Sequence, residues 1–242
     1  MDMKIKLLVN QNKEILSEFE RLLGYRFTDL RLLQNALIHS SFAFEQPQEC
    51  KNNETLEFLG DAVLDLVIGN LLYNQYPDMK EGELTKFRSS LVNETHLSKM
   101  AKEIDLGRFL LLGKGEESSS GRGKASILSS GYEAVIGAVF EDGGYETVSL
   151  LIERFFLPVL TEKKEEMLIA DAKSRLQELL QEKYNEAPQY QLDGEEGPPH
   201  QKNFSVSVMF RDNVLGTGSA GSKKEAEQRA AADALKNNPT DR

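Results

Sequence analysis

The chain has 242 residues, 40% of them hydrophobic and 28% charged, enough for one large or two modest domains with proper cores. Its formal net charge of -10 excludes a uniformly basic nucleic-acid clamp, so any polyanion site is a local patch or recruits cations to carboxylates. The one cysteine, Cys50, excludes an intramolecular disulfide and fits a reducing compartment.

The opening run MDMKIKLLVN is too short in apolar residues for a secretion signal. The longest uncharged stretch, Leu66 to Pro77, falls well below the roughly 20 residues of a membrane span. A cytosolic protein is expected. From Gln11 to about Leu160, apolar residues recur at three and four through ILSEFERLLGYRF, LRLLQNALIHSSF, LEFLGDAVLDLVIGNLLYNQYP, GELTKFRSSLVNETHLSKMAKEIDLG and ILSSGYEAVIGAVFEDGGY. Gly24, Pro77, Gly107 and Gly143–Gly144 punctuate these helices. No alternating strand pattern precedes residue 185, so the first two-thirds reads as all-α.

One of these helices poses a question. In NNETLEFLGDAVLDL, Glu54, Glu57, Asp61 and Asp65 fall within roughly 80° of helical arc. Apolar residues cover nearly all the rest, and Phe58 and Ile68 intrude into the acidic arc. The segment looks like a helix to be buried all round, yet burying unpaired carboxylates costs several kcal/mol. A divalent cation would resolve the conflict. Oxygen donors with no Cys or His nearby point to Mg²⁺ or Mn²⁺ over zinc. The plain alternative is a solvated acidic stripe capped by Asn52 or Asn53, which accounts for Glu54 at the helix start but hardly for Asp61 beside Gly60. Asp65, a turn further on, is assigned to structure. A later helix, SILSSGYEAVIGAVF, carries Glu133 among apolar neighbours, and two apolar helices each with an inward acid suit a metal site in a bundle core.

GKGEESSSGRGKAS is of low complexity and reads as a solvated loop in which Arg122 and Lys124 could brush phosphate. It is not a P-loop, since a glycine is missing at the required offset and Ala125 follows Lys124. His39, His96 and His200 lack zinc spacing, His39 being read as a hydrogen-bonded core or interface residue. No Ser–His–Asp pattern supports covalent catalysis.

TEKKEEMLIADAK looks like a connector entering a helix over Ala172–Lys183. After APQYQLDGEEGPPH comes a half-buried strand, Phe204–Phe210, a turn at Asp212–Asn213 and a returning strand, Val214–Ser219, before the helix KKEAEQRAAADALK. The tail is therefore α-β-β-β-α. From residue 171 onward it holds 10 Lys and Arg against 12 Asp and Glu, so charge alone does not mark it as nucleic-acid binding. Placement does more: Lys223 and Lys224 follow Gly221–Ser222 at a helix start, where ammonium groups oppose the dipole unless an anion is present.

ETLEFLGDAVLDL resembles the signature of the ribonuclease III family, the double-strand-specific endoribonucleases. The likeness continues through LLGYRFTDLRLLQNALIHSSF, MKEGELTKFRSSLVNETHLSKMAKEIDLG and SILSSGYEAVIGAVFEDGGY, and the tail resembles the double-stranded-RNA-binding domain. The resemblance implies the short bacterial form. An all-α nuclease domain (1–162) and a linker (163–170) would precede an α+β RNA-binding domain (171–240). It implies Glu57, Asp61 and Glu133 as metal ligands, with Asp61 and Glu133 also catalytic, Glu54 at the rim or subunit interface, and Glu81 near the scissile strand. The family's Asp-x-x-Glu on the later helix is here Ser130 and Glu133; a hydroxyl can ligate weakly or hold a water, so weaker metal affinity is expected. In the tail it implies that Gln177 and His200 reach successive minor grooves while Lys223 and Lys224 grip phosphate. Glu227 stands where many such domains carry a basic residue, a loss Arg229 would offset.

The reading is a Mg²⁺-dependent endoribonuclease that cuts both strands of double-stranded RNA as a homodimer. By the resemblance it leaves 5′-phosphate and 3′-hydroxyl ends and processes ribosomal precursors and some messengers. Its rival is a catalytically silent double-stranded-RNA-binding protein that keeps the fold. A third reading is a helical scaffold with a solvated acid stripe.

Overall fold

The computed structural model describes residues 3–46, 50–198 and 201–237. The chain divides into two compact units, Met1–Leu160 and Thr161–Arg242. In the first, α1 (Met3–Leu23), α2 (Leu30–Ala36) and α3 (Ser40–Phe44) lead to α4 (Glu54–Gln75), α5 (Glu81–Leu91) and α6 (Glu94–Glu103). The short α7 (Leu106–Phe109) and α8 (Lys114–Ser118) precede α9 (Ala125–Phe156). Helix α1 starts well before Gln11, because Ile5 is buried and seats its first turns. Helix α9 is the hub on which α2, α4 and α6 pack. Along it Tyr132, Val135, Ile136 and Val139 are wholly buried, as are Leu64, Ile68 and Leu72 on α4. The expected break at the paired glycines falls at Gly144, whose φ of 76° kinks α9.

Helix α4 is not buried all round. Leu56, Gly60, Val63, Leu64, Val67, Ile68, Leu71 and Leu72 face the core, but Phe58, Leu66 and Tyr73 are 80%, 59% and 70% exposed. Its cap also differs in detail from expectation. Asn53 occupies the N-cap position but its buried side-chain amide donates to the Ala36 carbonyl, while Asn52 Oδ1 accepts from Glu54 N–H at 3.2 Å. The two asparagines divide anchoring and capping between them.

The second unit contains α10 (Leu160–Tyr184), the strands β1 (Gln189–Glu196), β2 (Asn203–Phe210) and β3 (Asn213–Ala220), and α11 (Lys223–Asn237). The segment read as a connector is the first part of α10. The sheet is antiparallel in the order β1-β2-β3. Its buried residues Val206 and Val208 pack with Ala172, Leu176 and Leu180 of α10 and Ala226, Ala230, Ala231 and Ala234 of α11. The β2–β3 turn lies one residue earlier than expected. Phe210 pairs with Asn213, so Arg211 and Asp212 form the loop, with Arg211 at φ 55°. An arginine in the left-handed region is held there by contacts: its guanidinium pairs with Glu186 at 3.0 Å and lies over the rings of Tyr184 and Phe210.

Candidate active site and RNA-binding face

Helices α4 and α9 cross backbone against backbone. A Cβ placed on Gly60 would lie 1.8 Å from the carbonyl oxygen of Glu133, and one on Gly137 would lie 2.2 Å from that of Leu56. Each helix thus needs a glycine where the other passes. The consequence is local: Asp61 adjoins Gly60, Glu57 is one turn before Asp61, and Glu133 is one turn before Gly137. The crossing draws acids from two helices to one place. The sequence reading passed over this glycine pair, though a glycine within a long apolar helix was a signal of close approach.

The electrostatics report that gathering. Burial, then the charge of Asp61, then that of Glu57 push the Glu133 carboxyl up to about 7. Asp61 and Glu54 are exposed, whereas Glu57, Ser130 and Glu133 are partly buried. Ser130 lies three residues before Glu133 on α9, hence on the same face. Among the described residues, no three His, Cys, Asp or Glu side chains stand close enough to enclose a metal ion. The carboxylates are neighbours without forming a closed cage. Their chemistry fits a hard divalent cation: oxygen donors, and a carboxyl whose ionisation is opposed by two anions that a cation would neutralise.

Other acids sit elsewhere. Asp65 faces Arg88 across 3.5 Å, a structural ion pair as expected. Glu81, at the first position of α5, accepts from Thr85 Oγ1 at 3.1 Å and lines a cleft of about 460 Å³ with Tyr73, Met79 and Arg88. His39 caps α3, its Nδ1 lying 2.8 Å from Ser41 Oγ. The low-complexity segment is no solvated loop. Arg122 Nη1 donates to the carbonyls of Gly107, Arg108 and Leu110, its Nε pairs with Glu117 at 2.7 Å, and Lys124 pairs with Glu116 at 2.5 Å. Both cations are consumed internally, a pairing that a composition of serines and glycines concealed.

In the second unit Gln177 is exposed on α10, beside a hollow of about 550 Å³ that also borders Ser174 and Gln181. Lys223 and Lys224 are exposed in the first turn of α11, behind Ser222, whose Oγ accepts from Glu225 N–H at 3.2 Å. His200 lies outside the described residues. Glu227 does not stand as an uncompensated charge: Lys173 of α10 pairs with it at 2.6 Å. Arg229, about half exposed, bonds Glu225 of its own helix at 2.8 Å.

Residues 29–160 match the family model described as Ribonuclease-III-like, and residues 172–238 match the double-stranded RNA binding motif. The chain is 65% identical to Ribonuclease 3 of Desulfotalea psychrophila, over 98% of either chain. The chain belongs to the ribonuclease III family. It is 49% identical to Ribonuclease 3 of Syntrophobacter fumaroxidans, over 91% of this chain and 93% of the relative. The nuclease domain of ribonuclease III from Campylobacter jejuni superposes with a TM-score of 0.54 at 43% identity, covering 59% of this chain and 99% of that one. That domain is described as having a region involved in dimer formation. As a ribonuclease III, the chain is an endoribonuclease of double-stranded RNA, and the family's nucleases generally depend on metal ions. Relatives matching the whole length carry a nuclease name, so the silent binder is not favoured. No described helix is long and apolar enough to cross a membrane.

Proposed function

We propose that Glu57, Asp61 and Glu133, with Ser130 beside them, form a Mg²⁺ site that hydrolyses phosphodiester bonds in both strands of duplex RNA, leaving 5′-phosphate and 3′-hydroxyl ends. The observation that carries this reading is the Gly60–Gly137 crossing, where Glu133 feels both Asp61 and Glu57. Bound there, Mg²⁺, or Mn²⁺ in its place, would supply Lewis acidity toward the scissile phosphate and its attacking water. Asp61, the exposed member of the three, is the acid most open to solvent and substrate. Glu133, partly buried and held up in pKa by burial and by Asp61 and Glu57, is a carboxyl that a bound cation would hold ionised as a ligand.

The nuclease domain (1–162) would act with the RNA-binding domain (171–240) through the segment 163–170. Gln177 and His200 would read successive minor grooves by shape, and Lys223 and Lys224 would hold phosphate at the start of α11. One acid cluster per chain and two strands to cut favour a two-fold homodimer. The apolar residues left exposed on α4, Phe58, Leu66 and Tyr73, supply a surface of the right character for it. Ribosomal precursors and some messenger RNAs in the cytoplasm are the proposed substrates.

The test is a long labelled duplex incubated with the protein and Mg²⁺, then with EDTA, and then with Asp61→Ala. Shortening confined to the first lane, with a gel shift kept in all three, is expected. Cleavage surviving in Asp61→Ala would remove the acid cluster from the reaction.

A further inference from the structure

Glu227 is a puzzle on a surface read as binding a polyanion. It lies four residues after Lys223 and three after Lys224, so it shares their face of α11. A solvated carboxylate there would repel phosphate. Yet its side chain is only 18% exposed, and its carboxylate meets Lys173 Nζ at 2.6 Å. Lys173 in turn lies four residues before Gln177, on the same face of α10. The ion pair therefore spans the two helices, one turn from each of the RNA contacts read on them.

We propose that the Lys173–Glu227 pair is a strut that fixes the spacing between Gln177 on α10 and Lys223–Lys224 on α11, making Glu227 a positioning residue for duplex RNA despite its charge. This rests on the RNA-binding face proposed above. Three further observations support it. Helices α10 and α11 contribute side chains to one apolar core, Ala172 and Leu176 with Ala226 and Ala230 among them, and the ion pair joins the same two helices outside it. A second polar link lies one residue along, Gln228 Nε2 donating to the Ala170 carbonyl at 3.0 Å. The Lys173 ammonium also sits 4.4 Å from the centroid of the Tyr190 ring, a contact that fixes it from the sheet side. A lysine held by a carboxylate and an aromatic face is committed to the scaffold, and Glu227 is the group that commits it.

A double-stranded-RNA-binding domain reads shape across about 16 base pairs, so its contacts must keep the pitch of the duplex. A strut serves that purpose and a freely rotating cation does not. The consequence runs against simple electrostatics. Glu227→Lys adds positive charge to the face but sets two ammonium groups against each other and frees the helices to shift. The full-length variant is therefore expected to bind a fluorescent duplex of about 16 base pairs roughly fivefold more weakly than the parent in EDTA. The salt dependence of its binding is expected to be no steeper.

The exchanged pair, Lys173→Glu with Glu227→Lys, restores the strut and is expected to recover affinity to within about twofold. Glu227→Gln, which keeps shape and cannot repel, covers the case in which Glu227→Lys fails to fold by circular dichroism. It too is expected to bind more weakly. Lys223→Ala with Lys224→Ala is measured alongside. If that double variant binds as well as the parent, the face itself is misassigned and the strut has no contacts to space. If it binds poorly while Glu227→Lys or Glu227→Gln binds more tightly with a steeper salt slope, the face stands and the strut is overturned.

Discussion

Two regions of the nuclease unit are equally rich in charge and use it in opposite ways. In the segment from α8 to the start of α9, Lys124 holds Glu116 and Arg122 holds Glu117, and each carboxyl is drawn below its usual range by that hydrogen bond. At the α4–α9 crossing the carboxyl of Glu133 is driven the other way, by burial and by two further acids. Charges that answer one another belong to the scaffold. Charges of one sign crowded without an answer are a place prepared for something else.

The sharpest way to break this contrast is to part the two helices. Gly60→Ala puts a methyl where the Glu133 carbonyl lies, and no rotamer can relieve it because both atoms belong to main chain. A loss of about 3 kcal/mol in unfolding free energy is expected from overpacking. Cleavage should fall further than the folded fraction explains, because Asp61 and Glu57 move with α4. Denaturant melts alongside single-turnover cleavage check this. A variant as stable and active as the parent would mean that the crossing does not set the cluster.

Arg122→Ala attacks the other region. It strips a donor from the carbonyls of Gly107, Arg108 and Leu110 and leaves Glu117 without its partner. About 2 kcal/mol of stability should go. Affinity for duplex RNA should hold, since the guanidinium is spent on the protein. A loss of RNA affinity at unchanged stability would return Arg122 to the list of phosphate contacts.

The contrast also measures what the sequence disclosed. Periodicity located the long helices of the first unit, the break at Gly143–Gly144 and the strands β2 and β3, because these depend on local spacing, whereas β1, α8 and the first turns of α10 were given no element of their own. The acids at 57, 61 and 133 stood out because each sits in apolar company. What was hidden depends on pairing across the fold. The clasp of Arg122 on residues 107–110, the meeting of Gly60 with Glu133, and the pairing of Lys173 with Glu227 across 54 positions have no periodic signature. The exposed stripe on α4 was legible only as an excess of apolar residues, since which of them lack a neighbour is a tertiary fact.

The pH dependence separates the two regions by sign. Glu133 has a folded-state pKa of about 7, above its ordinary 4.5, so the fold favours its protonated form. Its contribution to stability is fully present below about 4.5 and is lost as pH rises through 7. Glu116 and Glu117 are lowered, so their contribution is present above the ordinary carboxylate range and is lost only as pH falls toward acid. In EDTA the protein should therefore lose on the order of 1 kcal/mol of stability between pH 5.5 and pH 8 through Glu133, a value reduced by its partial exposure. Glu133→Gln should flatten that slope. Mg²⁺ should reverse it, stabilising more at pH 8 than at pH 5.5, because proton and cation compete for one carboxyl. Thermal melts of both proteins at the two pH values decide it, and an unchanged slope in Glu133→Gln would place the titration elsewhere.

The smallest effect probes Ser130, the position where the family resemblance leads one to expect an acid. Ser130 lies on the Glu133 face of α9, so Ser130→Asp adds a fourth carboxylate to a site already crowded with anions. Without metal that crowding should raise the Glu133 proton affinity further and lower the melting temperature at pH 8 slightly. With Mg²⁺ the added charge becomes an added ligand, and affinity should tighten by about three- to tenfold in calorimetric titration. The two signs must appear together: a carboxylate that destabilises the metal-free fold and strengthens cation binding lies within the cluster. One that does neither has turned to solvent, and Ser130 then has no part in holding the ion.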